Sequence, residues 1–249
     1  EATESIDVAL VGKYDLRDAY MSVREALKHA GMQAAVDVTV QWVDADEMAD
    51  QHRRRLEEAD GIVVPGGFGS RGTSGKLEAI EYARENDVPY LGLCFGFQLA
   101  VIEYARNVLG LDEANSTELA EETPHPVIDL LPEQYDLEDL GGTMRLGAHE
   151  TEIDEGTLAH DLYDSDFCME RHRHRYEVNP EYIDDLTAGD LVFSGRAGNR
   201  MEILEMDDHP YFVGTQFHPE FTSRPTSASP PFVGLLEAIQ ERGGQEGGD

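Results

Sequence analysis

Between residues 6 and 93 one pattern recurs: a short apolar run, a turn residue, then a longer stretch whose apolar residues fall on one helical face. Residues 6–11 form the first run and end at Gly12. Residues 18–29 follow with Ala19, Val23, Ala26 and Leu27 on one face and a stop expected at Gly31. Further runs cover residues 36–43, 61–64 and 89–93. Runs this short that alternate with helices must pair in parallel, because each crossover returns the chain to the same end of the sheet. The expectation is an α/β fold of flavodoxin-like type, with an open, mostly parallel central sheet and helices on both faces. Its functional site should lie at the carboxyl ends of the strands. The chain has 249 residues, 40% of them hydrophobic, enough for one large core. Residues 1–242 are read as one domain and the Gly-rich residues 243–249 as a polar, disordered tail.

The fourth run ends in Gly92-Leu93-Cys94-Phe95-Gly96. Small residues two before and two after a central Cys are the spacing of a nucleophile elbow, where strand and helix backbones nearly touch and the middle side chain projects above the sheet. A buried core cysteine before a glycine turn fits this stretch alone equally well. The third run enters Pro65-Gly66-Gly67-Phe68-Gly69-Ser70-Arg71-Gly72, which contains G-x-G-x-x-G. That pattern follows the third strand instead of opening the first βαβ unit, so a dinucleotide site is not the reading. Glycines there also free backbone N–H groups to act as oxyanion donors beside a neighbouring nucleophile.

A cysteine nucleophile needs a base, and the base an orienting group. The apolar stretch 211–217 ends in His218-Pro219-Glu220, where the proline fixes the turn and lets the carboxylate reach the imidazole. Arg171-His172-Arg173-His174-Arg175 is the other conspicuous histidine run. Its alternating basic residues would repel a cation, and the two cysteines, Cys94 and Cys168, have no metal-ligand spacing, so no metal is expected. Two cysteines also give no disulfide framework, which suits a reducing cytoplasm.

Charge narrows the function further. Asp and Glu number 51 against 19 Lys and Arg, a net charge of −32. Such a surface repels a polyanion, which excludes nucleic acid as a partner. The longest apolar stretch, 88–105, is broken by Gln98 and Glu103, so no membrane span is expected. The acidic residues are spread along the chain, as in Asp44-Ala45-Asp46-Glu47, the distribution of a salt-adapted surface. Its melting temperature is expected to rise as KCl or NaCl is added into the molar range, because the salt screens repulsion among carboxylates. A melting temperature that stays flat or falls would refute the salt reading and leave any enzymatic assignment untouched.

Six separated motifs carry a resemblance: Gly12-Lys13-Tyr14 with Asp18-Ala19-Tyr20; the P-G-G-F-G-x-R-G loop; Asn115-Ser116-Thr117-Glu118; Gly141-Gly142-Thr143-Met144-Arg145-Leu146-Gly147; the stretch from Glu170 through the Arg–His run to Asn179; and Gln216-Phe217-His218-Pro219-Glu220-Phe221. With G-L-C-F-G-F-Q they resemble the class I, triad-type glutamine amidotransferases, and within them the glutaminase half of the CTP synthases. The segment 12–18 is one residue shorter than the family pattern. The resemblance implies hydrolysis of L-glutamine by Cys94, His218 and Glu220, with oxyanion donors at Gly67 and Phe95. It places Gln98, Glu118 and Arg175 around the glutamine head group. It further implies GTP as an allosteric effector near Phe68 and Arg71, and no cofactor in this domain. ATP, UTP and Mg would be used by a ligase domain that precedes this one in the family and is not found in these residues, and the full-length family assembles as a homo-oligomer, a tetramer. Two readings share the same residues: the glutaminase of another pathway, such as GMP or aminobenzoate synthesis, or a non-catalytic regulatory module of the same fold.

Overall fold

The computed structural model describes residues 4–14, 19–131, 134 and 144–246. The first half builds β1 (Ser5–Gly12), α1 (Met21–Ala34), β2 (Asp37–Asp44), α2 (Asp50–Glu57), β3 (Gly61–Val64), α3 (Thr73–Glu85), β4 (Tyr90–Leu93) and α4 (Phe95–Asn107). The second half adds β5 (Ala114–Ser116), β6 (His125–Asp129), β7 (Arg145–Ile153), α5 (Leu158–Tyr163), β8 (Phe167–His174), β9 (Glu177–Val178), α6 (Ile183–Leu186), β10 (Leu191–Ala197), β11 (Arg200–Met206), β12 (Phe212–Thr215) and α7 (Pro230–Glu246). The main sheet has nine strands in the order β2-β1-β3-β4-β12-β11-β10-β7-β8, and β5-β6-β9 form a small second sheet.

The α/β class and the open sheet agree with the sequence, but the sheet is mixed where a mostly parallel one was expected. The pairings from β2 through β1, β3 and β4 to β12 are parallel. Those from β12 out to β8 are antiparallel. The reason is visible in β8, where residues alternate strictly between exposed and buried, as on a sheet half with one wet face. In the parallel half both faces are covered, so β1 is apolar and buried from Val8 to Val11 and its side chains divide between two cores. Val8 and Leu10 pack with Val23 and Leu27 of α1 and Leu235 and Leu236 of α7. Ala9 and Val11 pack on the other face with Ala79 and Ile80 of α3 and the buried side of α4.

Two sequence expectations about helix ends change. The described part of α1 starts at Met21, Asp18 lying outside the described residues, and it runs through Gly31 to Ala34. Gly31 is a close approach and not a stop: a Cβ there would meet Val38 Cγ2 at 2.9 Å and the Val36 carbonyl oxygen at 3.0 Å. The helix closes at Ala35, whose left-handed backbone (φ 58°) returns its N–H to the Gly31 carbonyl. At the other end α7 continues to Glu246, so residues 243–246 are helical where a disordered tail was expected; residues 247–249 lie outside the described residues. Phe232, Leu235 and Leu236 anchor α7 in the core, and an anchored helix extends by one hydrogen bond per residue. That gain tolerates Gly243 and Gly244, at about 1 kcal/mol each. Among the described residues no helix is long and apolar enough to cross a membrane.

Candidate active site

The strand order brings the two distant candidates together. β12 lies beside β4 in parallel, with Thr215 opposite Leu93, and the Cys94 N–H donates to the Thr215 carbonyl at 2.7 Å. The residues that follow each strand, Cys94 on one and Gln216 to His218 on the other, therefore emerge at the same carboxyl edge.

Cys94 joins β4 to α4 in a single residue and adopts φ 50° and ψ −95°, a conformation that costs a non-glycine residue about 1–3 kcal/mol. The flanking glycines make it sterically feasible. A Cβ on Gly96 would lie 2.2 Å from the Val64 carbonyl oxygen, and one on Gly92 would lie 2.5 Å from the Tyr90 hydroxyl and 2.9 Å from the Gly96 carbonyl carbon. The elbow spacing read in the sequence is thus a real strand-to-helix contact. It sets the Cys94 thiol at the amino end of α4.

His218 donates from Nδ1 to Glu220 Oε1 at 2.8 Å, and its ring stacks on Phe221 with centroids 5.1 Å apart. With Nδ1 committed to the carboxylate, Nε2 remains for Cys94, whose Cβ and the His218 ring flank the same point beside Gly66. Burial works against a charge on His218, but the Cys94 sulfur and the Glu220 carboxylate outweigh it and raise its pKa well above the ordinary imidazole range. The imidazolium is therefore favoured beside Cys94 and Glu220, as a proton-accepting base requires. Gly66 shields this geometry from crowding, since a Cβ there would stand 2.8 Å from His218 Cε1.

Cys94 opens into a cleft of about 690 Å3 lined by Gly67, Phe68, Gln98, Glu118, Met144, Arg173, His174, Arg175 and Tyr176. Gly67, Gln98, Glu118 and Arg175, named from the sequence, thus share one cavity with the thiol. Phe95, in the first turn of α4, is buried beside it, and no group of the described residues takes the Gly67 or Phe95 N–H. Gln98 is held by its own amide, which donates to the Tyr176 carbonyl at 2.9 Å and to Gln216 Oε1 at 3.1 Å. Glu118 accepts from the Gly69 N–H at 3.1 Å, tying the glycine loop to the opposite wall. Phe68 is 65% exposed at the rim, over Lys13 Nζ, whereas Arg71 is already engaged by Asp46 at 2.8 Å and by the Lys13 carbonyl at 2.6 Å. Of the quoted motifs, residues 15–18 and 141–143 lie outside the described residues.

The sequence reading left other neighbours of the thiol without a role. Cys94 Sγ lies 3.9 Å from the Arg173 carbonyl oxygen and 3.8 Å from Gln216 Nε2. Both residues sat inside quoted motifs, but only the tertiary pairing reveals which of their atoms face the sulfur. The Arg–His run is divided by β8: Arg171 and Arg173 point outward, His172 and His174 inward. His172, His174 and Glu202 place one ligand atom each within 4.8 Å of one another, a cluster able to hold a metal ion by spacing. Part of its donor set is engaged otherwise, while His172 Nε2 and Glu202 Oε2 are buried without a hydrogen bond to any described residue. Glu202 is ion-paired with Arg145, His174 donates from Nδ1 to the Tyr176 carbonyl at 3.2 Å, and its Nε2 accepts from His172 Nδ1 at 2.9 Å. Burial, assisted by the Arg145 charge, lowers the pKa of His172 to about 2 and that of His174 to about 3, so both stay neutral. The chain they form ends on the same Tyr176 carbonyl that holds Gln98.

A family model described as glutamine amidotransferase class-I matches residues 15–238. CTP synthase of Halobacterium salinarum is 72% identical over 97% of this chain, and that of Haloarcula marismortui 74% identical over 94%. The chain spans 44% and 43% of those two relatives' own lengths. The glutaminase domain of Trypanosoma brucei CTPS, solved with bound acivicin, superposes with a TM-score of 0.87 at 38% identity, covering 95% of this chain and 94% of that one. A glutamine amidotransferase from Thermotoga maritima shares the fold with a TM-score of 0.57 at 15% identity.

Proposed function

Because this chain belongs to the class I glutamine amidotransferases, as a glutaminase domain of the CTP synthase type, we propose that it hydrolyses L-glutamine through Cys94 and supplies the ammonia that converts UTP to CTP. The observation that carries the reading is a strained cysteine at a helix amino end, beside a histidine that a carboxylate orients, opening into a cleft with one acid and two arginines.

In the proposed reaction the Cys94 sulfur, its proton already passed to His218, attacks the side-chain amide carbon of glutamine. The carbonyl oxygen becomes an oxyanion within reach of the Gly67 and Phe95 N–H groups, each such donor contributing ~3–4 kcal/mol in comparable sites. His218 returns its proton to the departing nitrogen, ammonia leaves, and a γ-glutamyl thioester remains. Water, deprotonated by the same imidazole, then releases glutamate and regenerates the thiol. Glu220 keeps Nδ1 protonated throughout. Glu118 is proposed to meet the substrate ammonium and Arg175 its carboxylate, while Gln98, both of whose amide N–H groups are taken by Tyr176 and Gln216, offers the head group its Oε1. In a chain of net charge −32, the arginines at the cleft supply an attraction for that carboxylate that the surface otherwise lacks.

The amination of UTP, with ATP and Mg, would take place on the part of the longer relatives that these residues do not span. The rim residues Phe68 and Arg71 are proposed to meet that ligase domain and GTP, in a cytoplasmic homotetramer. Since a site shared between two domains is incomplete in one of them, the chain alone is expected to release glutamate from glutamine slowly and to respond little to GTP. A polypeptide that also carries the ligase domain is expected to respond strongly and to form CTP from UTP. Glutamate release is measured on both with and without GTP, in one high-salt buffer. Full stimulation of the chain alone would overturn the shared effector site, and a chain that releases no glutamate would overturn the glutaminase reading.

A further inference from the structure

The chain has only three lysines, Lys13, Lys28 and Lys76, and Lys76 is wholly buried. Placing an ammonium in the interior without a counter-ion is strongly unfavourable, so its surroundings must account for it. Lys76 lies in the first turn of α3 and reaches under the glycine loop. Its Nζ donates to the Pro65 carbonyl at 3.3 Å and stands 5.2 Å from the centroid of the Phe95 ring. It also lies 3.4 Å from where a Cβ on Gly67 would be, in ordinary van der Waals contact with that position. Asp46, a carboxylate near enough to act on it, is ion-paired with Arg71. The contacts of Lys76 are thus the residue before the glycine pair, Gly67 itself, and the residue after Cys94.

We propose that Lys76 is a positioning residue of the glutaminase, its side chain bracing residues 65–67 from the buried side and, when protonated, setting a positive charge behind the Gly67 and Phe95 N–H groups. The inference rests on the glutaminase reading above. It explains why a lysine is buried where a methionine of similar length would pack at lower cost: the charge acts on the thiolate and on the oxyanion that forms from the substrate carbonyl, through donors it also holds in place. The charged groups facing it come from several elements, Lys13 after β1, Asp46 after β2 and Cys94 before α4. Burial, with the Lys13 charge, lowers its pKa to about 7, while Cys94 and Asp46 pull the other way.

The sign of the stability effect follows. Lys76 binds its proton less readily folded than unfolded, so its penalty on the fold is complete below about pH 7 and is relieved as pH rises toward 10.5. Lys76→Met is therefore expected to melt at or above the wild-type temperature at pH 6, yet to lower kcat for glutamine about 10- to 100-fold with KM within about threefold. A residue that only fills space would show the opposite pairing, lost stability with retained turnover. A second measurement needs no Lys76 variant. With lysine side chains isotopically labelled, three signals are followed by NMR against pH, and the Lys76 midpoint is expected to fall in Cys94→Ala, because the attraction of the thiolate has been removed. An active wild type whose Lys76→Met variant turns over within twofold, or a Lys76 midpoint indifferent to Cys94, overturns the proposal alone. A wild-type chain that releases no glutamate overturns it together with the glutaminase reading.

Discussion

Cys94→Ala is expected to lower glutamine hydrolysis by roughly 10^4-fold or more while leaving the fold and its melting temperature nearly unchanged, because the thioester route has no substitute nucleophile. Loss of a thiol from a buried elbow removes little volume, and alanine tolerates the backbone there no worse than cysteine does. The same asymmetry applies to chemical labelling. Cys168 lies buried in β8, where burial and the neighbouring Glu170 push its thiol up to about 12, so it is held as an unreactive thiol at neutral pH. A glutamine-like electrophile should mark Cys94 and spare Cys168, read by mass spectrometry of the labelled peptides. Equal modification of both thiols, or turnover surviving in the alanine variant, would sink the assignment of the nucleophile.

Gly96→Ala is expected to be the most damaging glycine-to-alanine change among the described residues. The added Cβ would sit 2.2 Å from the Val64 carbonyl oxygen, a backbone atom of the neighbouring central strand that cannot move without shifting β3. Overpacking of this kind costs about 3 kcal/mol, which in a protein of this size lowers the melting temperature by about 10 °C. Any folded fraction should also lose activity, since α4 can relieve the clash only by carrying the Cys94 elbow away from His218. Thermal melts with glutaminase assays on the same sample check both parts. A variant with wild-type melting and turnover would show that strand and helix do not meet as described. An alanine at Gly198, where no atom lies within 4 Å of the added Cβ, serves as a comparison that strains only the backbone.

The local chemistry of the site was legible in the sequence because it depends on short spacings. Gly92, Cys94 and Gly96 encode a contact between adjacent elements, and His218-Pro219-Glu220 encodes a turn that completes its own hydrogen bond. The parallel half of the sheet was legible for the same reason, since each apolar run is followed directly by the helix that returns it. Helix ends were less so: Gly31 reads as a stop in isolation, and only the packing of Val38 against it shows the glycine serving a close approach.

The sequence by itself determined the α/β class, the elbow cysteine, its histidine and carboxylate partners, and the family to which the chain belongs. Tertiary structure alone decided that β12 lies beside β4, and with it that His218 meets Cys94 across more than a hundred residues, because strand neighbours are chosen by the packing of whole faces and not by local pattern. It also decided the antiparallel half of the sheet and the inward turn of His172 and His174. Most of all it placed Lys76 beneath the glycine loop: a charge in sequence is solvated by default, and only the enclosure formed by Pro65, Gly67 and Phe95 turns it into a buried one.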